Sequence, residues 1–103
     1  MNRETSLPPQ FNVGQRVLVD DRKSVGHCRT PAFVRGRVGV IAEVLGAFRN
    51  PEKLAYHRPG LPAQVLYAVR FRQHELWPAY EGTKTDELDI DIYANWLTPA
   101  AAI

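Results

Sequence analysis

The stretch that decides the fold is QVLYAVRFRQ, residues 64–73, because its side chains alternate with a period of two. One face carries Leu66, Ala68, Arg70 and Arg72. The opposite face is apolar and is made by Val65, Tyr67, Val69 and Phe71. Such alternation is typical of a β-strand that packs one face on a core. We therefore predict a strand here, with Tyr67 and Phe71 in the core.

Segments on either side of this stretch also have strand character. Val17 and Val19 alternate with other residues in FNVGQRVLVD, residues 11–20. Residues 35–46, RGRVGVIAEVLG, are rich in valine and isoleucine, and glycines near their start indicate a tight turn or a bulge. Residues 88–93, LDIDIY, alternate apolar and acidic side chains, which is typical of a half-buried strand. Together these segments give four or five short strands.

The strands are not separated by helical patterns, so no βαβ unit is expected. We predict an all-β fold, a small SH3-like, partly open antiparallel barrel with long loops. Residues 1–10 contain a Pro-Pro pair and no apolar period, which predicts a flexible N-terminal arm before one domain over residues 11–99. Residues 94–99, ANWLTP, predict a helical turn that ends at a proline. Residues 46–64, with three prolines, predict a long loop of functional or interface type.

Composition limits what the chain can do alone. It has 103 residues, 45% of them hydrophobic, which fits one globular domain. Its single cysteine excludes an internal disulfide and any metal site that needs two thiolates from this chain. There is no apolar run of the roughly 20 residues that a membrane span needs, and the polar start lacks the apolar core of a signal peptide. These features predict a cytoplasmic protein.

The formal net charge is only +2, but the charges are unevenly distributed. Residues 16–37 carry six basic and two acidic side chains, whereas residues 75–91 carry six acidic side chains and one lysine. Such a two-sided molecule suits docking against partners, and the alternative is two ordinary solvated faces. Nucleic-acid binding is a further alternative, but the low net charge and the lack of interleaved aromatic residues argue against it. The basic side chains in question are Arg16, Arg22, Lys23, Arg29, Arg35 and Arg37.

The candidate site lies in GHCRTPAFVRGRVGV, residues 26–40. His27 and Cys28 do not suggest a catalytic dyad, because adjacent side chains of an extended segment point to opposite faces. The three histidines match no metal-ligand spacing. Arg29 offers a planar fork of donors for an anionic group, and Pro31 restricts the backbone two residues later. The loop could therefore present Arg29 across an interface, and the alternative is a loop arginine that faces water.

Four segments, VGHCRTPAFVRGRVGVI, LYAVRF, ELW and DIDIYANWL, occur in the order and spacing found in the β subunit of nitrile hydratase. The chain resembles the C-terminal, SH3-like half of that subunit over residues 11–98, and the related thiocyanate hydrolase shares the pattern. Cys28, Phe33 and Arg37 replace threonine, tyrosine and lysine of the family motif, and ELWP replaces ELWG. The matching motif residues are Gly26, His27, Arg29, Pro31, Arg35, Gly36 and Gly39.

The resemblance implies a division of labour between subunits. In this family the α subunit holds low-spin cobalt(III) or iron(III) in a C-x-x-C-S-C claw with two oxidised cysteines. One family arginine that hydrogen-bonds to these oxidised cysteines matches Arg29. His27, Pro31 and Arg35 would then support the loop or cross the interface. As alternatives, His27 caps the turn and Arg35 pairs with an acidic residue on the far strands.

The resemblance further implies the small β-type subunit of a hetero-oligomeric nitrile hydratase, which converts a nitrile and water to an amide. This chain would bind no metal and would not be active alone. Its partners would be the α subunit and a separate subunit equivalent to the N-terminal half of β, with no nucleic acid or membrane involved. The alternatives are a subunit of thiocyanate hydrolase and a nonenzymatic accessory or metallochaperone subunit for the α chain.

Overall fold

The computed structural model describes residues 3–4, 9–22, 30–48 and 63–100, with backbone alone for the first pair. A one-turn helix, α1, spans Gln73–Leu76, and 3₁₀ helices span Ala32–Val34 and Ala94–Trp96. The strands described are β1 (Arg3–Glu4), β2 (Arg16–Val19), β3 (Val38–Phe48), β4 (Gln64–Arg72), β5 (Glu87–Tyr93) and β6 (Leu97–Pro99).

All the strand pairs are antiparallel and belong to one sheet. The order is β5-β4-β3-β2-β6, and β1 also pairs with β3. The sheet is open, since β5 and β6 lie at the two ends of this order. The predicted all-β, partly open antiparallel architecture is therefore confirmed. None of the helices in the described ranges is long and apolar enough to cross a membrane.

The predicted strand at residues 64–73 is β4, which lies between β3 and β5. Tyr67 and Phe71 are buried in the core, as predicted. The phenolic oxygen of Tyr67 accepts hydrogen bonds from the backbone N–H groups of Gln10, at 2.8 Å, and Phe11, at 3.1 Å. Tyr67 therefore ties the segment before β2 to the middle of the sheet.

The second face of β4 is less exposed than its alternation suggests. Leu66 and Ala68 are buried as well, and only Arg70 and Arg72 at the end of that face are exposed. Leu66 lies opposite Tyr93 of β5, whose side chain is large enough to cover a directly opposed neighbour. The period of two predicts which residues share a face, but it does not predict what covers that face.

Two glycines near the start of β3 have different roles. Gly36 has a φ of 76°, so it forms the tight turn that was predicted, and its N–H donates to the carbonyl of Val19 at 2.8 Å. Gly39 lies inside β3, and a Cβ there would come within 2.6 Å of Val69 Cγ1 and 2.8 Å of Phe71 Cε1. Gly39 therefore lets β3 approach the core side chains of β4.

Three further predicted segments, at residues 94–99, 46–64 and 1–10, differ in how much of them the structure describes. The segment predicted as a helical turn forms the second 3₁₀ helix and then β6, which ends at Pro99. Of the predicted loop at residues 46–64, residues 49–62 lie outside the described residues. The backbone of Arg3 and Glu4 pairs with Phe48 and Ala47. The division into an arm over 1–10 and a domain over 11–99 stays a prediction.

Candidate functional site

The predicted site residues fall into two groups. His27 and Arg29, together with Cys28, lie outside the described residues. Pro31 and Arg35 are described, and Thr30 is the first described residue after Arg29. The structure therefore defines the two flanks of the candidate loop, at residues 20–22 and 30–35.

The flank that follows Arg29 is a tight turn closed by Arg35. Pro31 has φ −61° and ψ 142° and precedes the first 3₁₀ helix. The guanidinium of Arg35 reaches back and donates from Nη2, at 2.6 Å, and from Nε, at 3.2 Å, to the backbone carbonyl of Thr30. Thr30 is only 5% exposed. Arg35 thus satisfies a largely buried carbonyl, which would be costly to leave unpaired.

The flank that precedes the loop is held by the second 3₁₀ helix. The N–H of Asp20 donates to the carbonyl of Trp96 at 2.8 Å, and Arg22 Nη2 donates to the carbonyl of Asn95 at 3.2 Å. The Asp20 carboxylate accepts from the Arg22 N–H at 2.9 Å and lies 3.5 Å from Arg22 Nη1. Backbone and side-chain contacts both fix this flank on residues 95–96.

Trp96 joins the two flanks. Its side chain is 2% exposed, and the guanidinium carbons of Arg22 and Arg35 lie over its ring, 4.0 and 4.9 Å from the ring centroid. A guanidinium within about 6 Å of an indole centroid makes a cation–π contact. No sequence pattern singles out Trp96, although it belongs to the segment DIDIYANWL. Its arginine partners are distant in sequence, so no local pattern connects them.

A second arginine cluster lies on the exposed face of the sheet. Arg70 donates to both carboxylate oxygens of Asp89, its cross-strand neighbour, at 2.8 and 3.0 Å. The hydrogen bond and the charge of Asp89, followed by the charge of Glu87, raise the pKa of Arg70 above its ordinary value. A shallow cavity of about 410 Å³ adjoins this pair and includes Arg16 and Arg72 in its lining.

The loop before β5 is organised by Asp86. Its carboxylate accepts hydrogen bonds from the Thr83 hydroxyl at 2.6 Å, from the Thr83 N–H at 3.2 Å and from the Tyr80 hydroxyl. The Thr83 bond and then the Tyr80 bond lower the pKa of Asp86. The same bond to Asp86 raises the pKa of the Tyr80 hydroxyl. These contacts shape the loop and involve none of the predicted site residues.

Metal-binding side chains do not gather in the part of the chain that the structure describes. Among residues 9–22, 30–48 and 63–100, no group of three or more His, Cys, Asp or Glu side chains could hold a metal ion. His74 Nδ1 is buried without a hydrogen-bond partner among these residues. His27 and His57 lie outside them. The described residues of this chain therefore do not fit a metal centre.

The described residues define a small antiparallel β domain with a turn at residues 30–35 that is closed by Arg35. The family model for the C-terminal part of the nitrile hydratase beta subunit matches residues 1–99. The chain belongs to this family, and the resemblance found in the sequence is confirmed.

The relatives are nitrile hydratase and thiocyanate hydrolase subunits. Nitrile hydratase subunit beta of Rhodococcus erythropolis is 36% identical over 94 residues, which cover 88% of this chain and 42% of that protein. The cobalt-containing nitrile hydratase subunit beta of Pseudonocardia thermophila is 36% identical over 105 residues, which cover 98% of this chain and 44% of that protein. The chain thus spans about two fifths of the length of these curated relatives.

A relative of more similar length comes from thiocyanate hydrolase. The subunit alpha of that enzyme from Thiobacillus thioparus is 30% identical over 100 residues, which cover 88% of this chain and 72% of that subunit. The solved structure of the recombinant apo-enzyme of T. thioparus thiocyanate hydrolase contains a chain of the same fold. Its TM-score is 0.87 at 27% identity, and the match covers 95% of this chain and 82% of that chain.

Proposed function

We propose that this chain is a β-type subunit of a hetero-oligomeric nitrile hydratase, in which it supports the hydration of a nitrile to an amide at a site held by an α subunit. The observation that carries the proposal is the turn in which Arg35 holds the carbonyl of Thr30, the residue that follows Arg29 in the sequence, in a chain of this family. The flank at residues 20–22 is bonded to the carbonyls of Asn95 and Trp96, and the flank at residues 30–35 is closed by Arg35, so both flanks are anchored.

Arg29 is the residue that acts on the partner in this proposal. Its guanidinium donates charge-assisted hydrogen bonds to the oxidised cysteine oxygens of the partner's C-x-x-C-S-C claw. Pro31 and Arg35 set the backbone of the residues that follow, and His27 supports the loop or crosses the interface. A contact of this kind orients a metal ligand without binding the metal itself. Its loss typically costs about 10- to 100-fold in activity or metal affinity.

The metal belongs to the partner in this proposal, and among the described residues of this chain no group of three or more His, Cys, Asp or Glu side chains could hold one. The cobalt-containing relative supports cobalt as the metal, with iron as the alternative. When bound in the α subunit, the metal would supply Lewis-acid chemistry toward the nitrile or the water. This chain would supply hydrogen bonds to the ligands of that centre and would be inactive alone.

The assembly and its location are part of the same proposal. The α subunit is the first partner, and a separate subunit equivalent to the N-terminal half of the family's β subunit is the second. The proposal includes a cytoplasmic location and no nucleic-acid or membrane partner.

Thiocyanate hydrolysis is a second candidate function. It is favoured by the relative from T. thioparus, because this chain covers 72% of that subunit but 42–44% of the two nitrile hydratase relatives described above. The two functions differ in substrate, so parallel assays with nitriles and with thiocyanate distinguish them.

The test is co-purification. The tagged chain is co-expressed with its neighbouring reading frames, and the complex is analysed for subunits, for bound cobalt and iron, and for amide formation or thiocyanate loss. We expect a stoichiometric partner with a C-x-x-C-S-C motif, bound metal and amide formation. If the chain leaves its partner once the metal is loaded, it is an accessory or metallochaperone subunit. If it purifies alone, the proposal is wrong.

A further inference from the structure

We propose that the outer face of the sheet around Val40 is a docking surface for an acidic, extended segment of a partner subunit. This surface, the arginine groove, is the shallow cavity of about 410 Å³ whose lining includes Arg16, Val40 and Arg72. It lies on β2, β3 and β4, in the part of the chain that the structure describes. That the occupant belongs to a subunit of the same complex rests on the proposed function, whereas the chemistry of the groove does not.

The floor of the groove is apolar and exposed, although it lies on inner strands of the sheet. Val40 of β3 is opposite Arg16 of β2 on one side and Arg70 of β4 on the other, so the three side chains share one face. Val40 is nevertheless 38% exposed, and so is Leu18, which lies opposite Val38 on the same face. No described segment of the chain therefore covers this part of the sheet.

A smaller cavity adjoins the groove and extends it. Its volume is about 210 Å³, and Val38 and Glu75 belong to the lining of both cavities. Phe71 and Leu76, which belong to the core, also line the smaller cavity. An occupant of the groove can therefore place an apolar side chain next to Phe71 and Leu76. A central apolar contact with a charged rim is the usual composition of a protein interface.

Two arginines of the groove are available to bind an anionic group. Among the described residues, the side chains of Arg16 and Arg72 make no hydrogen bond or ion pair. Arg70, in contrast, already donates to both carboxylate oxygens of Asp89. Because a guanidinium binds a carboxylate through two parallel hydrogen bonds, the two unpaired arginines favour carboxylate groups on the occupant.

The positions of these two arginines fit an extended segment. β2 and β4 are second neighbours in the sheet, and Arg72 lies two residues beyond Arg70, which is in line with Arg16 across β3. These offsets place the Cα atoms of Arg16 and Arg72 roughly 12 Å apart. Two carboxylates that are three or four residues apart in an extended chain have a similar separation, because such a chain advances about 3.3 Å per residue.

The carboxylates of the groove favour a polypeptide over a polyanion. Glu75 and Glu87 belong to the same lining, and Glu87 lies 4.0 Å from Arg70 Nε. They would repel a nucleic-acid strand, in which every phosphate carries a charge. A polypeptide can alternate carboxylates with apolar side chains and donate its backbone N–H groups to these glutamates. A small anion could bind the arginines but would leave Val40 exposed.

Charge reversal in the co-purified complex tests the groove. Arg16→Glu and Arg72→Glu replace an attraction by a repulsion, so we expect the dissociation constant between this chain and its partner to rise about fivefold or more in each variant. Native mass spectrometry of serial dilutions measures this constant. Added salt should weaken the wild-type complex more than the variants. Lys84→Glu, at an exposed lysine of the loop before β5, makes the same change of net charge and is the matched control.

Photo-crosslinking from the floor identifies the occupant. Benzoylphenylalanine in place of Val40 should crosslink to a partner segment that carries carboxylates three or four residues apart, as identified by mass spectrometry of the purified complex. The same group in place of Val13, which is 65% exposed and outside the lining, is the control. A product with a second copy of this chain, with nucleic acid or with a segment that lacks carboxylates would overturn the proposal. The absence of a product in an intact complex would do the same.

The outcomes separate this proposal from the proposed function. An active complex in which Arg16→Glu and Arg72→Glu behave like Lys84→Glu contradicts the groove and leaves the function in place. A complex that both reversals weaken, but that converts neither nitriles nor thiocyanate, contradicts the function and supports the groove. If the chain purifies alone, both proposals are wrong.

Discussion

Arg35 at the turn and Arg70 on the sheet each donate two hydrogen bonds to one described residue, but their surroundings differ. The side chains of Arg70 and Asp89 are 46% and 41% exposed, so water competes for both partners. Thr30 and Trp96, the partners of Arg35, are 5% and 2% exposed. An exposed ion pair contributes little to stability, whereas a buried carbonyl without a donor is costly. Arginine therefore stabilises the turn, whereas on the exposed face of the sheet it contributes little to stability.

The largest effect on stability is expected when the indole ring of Trp96, which Arg35 of the turn contacts, is removed. Trp96→Ala removes a fully buried side chain that both Arg22 and Arg35 contact, and we expect the free energy of unfolding to fall by about 3–5 kcal/mol. Urea unfolding of the purified chain measures it. Trp77→Ala, at a partly buried tryptophan, is the control and should cost less. Equal losses in the two variants would show that the degree of burial does not distinguish the two tryptophans.

Removal of the Arg35 guanidinium should have the next largest effect on the free energy of unfolding. Arg35→Ala leaves the Thr30 carbonyl without this donor, and we expect a loss of about 1–3 kcal/mol. Arg35→Lys should recover part of it, since lysine keeps the charge but not the planar pair of donors. The same urea unfolding measures both variants. Identical stability of wild type and Arg35→Ala would show that the turn does not depend on this contact.

A smaller effect is expected on acidification, at Asp86. Because the pKa of Asp86 is lowered in the folded chain by Thr83 and Tyr80, its contribution to stability is present above the ordinary aspartate value, about 4, and is lost as the pH falls through the folded-state pKa. Asp86→Asn should therefore weaken the fall of the melting temperature at acidic pH. Asp91→Asn, at an exposed aspartate of β5, is the control. An unchanged acid profile in Asp86→Asn would contradict this assignment.

The smallest effect should come from the pair on the sheet. Arg70→Ala removes the bidentate contact with Asp89, but the exposed Asp89 carboxylate is then solvated by water, so the melting temperature should change little. Addition of salt should also have little influence on the difference in melting temperature between Arg70→Ala and the wild type. If Arg70→Ala lost as much stability as Arg35→Ala, solvent exposure would not explain the difference between the two arginines.

The sequence predicts the sheet well because a strand's periodicity is a local property. The alternation in residues 64–73 and 88–93 predicts β4 and β5, and the core positions of Tyr67 and Phe71 are confirmed. The burial of Leu66 depends on a neighbouring strand and was not predicted. The meeting of Arg22, Arg35 and Trp96 depends on the whole topology, so no segment of the sequence contains it.

The candidate site could be predicted only in part. Arg29 was identified through a family motif, and its role stays a prediction because residues 23–29 lie outside the described part of the chain. The hydrogen bonds that hold the two flanks could not be predicted from the sequence. They involve backbone carbonyls such as that of Thr30, and every residue type has such a carbonyl. The motif predicts which residue reaches a partner, and the structure describes the turn at residues 30–35 that follows it.

The most direct test of the account is the rate of amide formation by the co-purified, metal-loaded complex with Arg29→Lys. Arg37→Lys makes the same chemical change nearby and serves as the matched control. We expect Arg29→Lys to lose about 10- to 100-fold in rate, because lysine cannot reproduce the planar fork, while Arg37→Lys stays close to the wild type. Equal rates for the two variants would contradict the proposed role of Arg29.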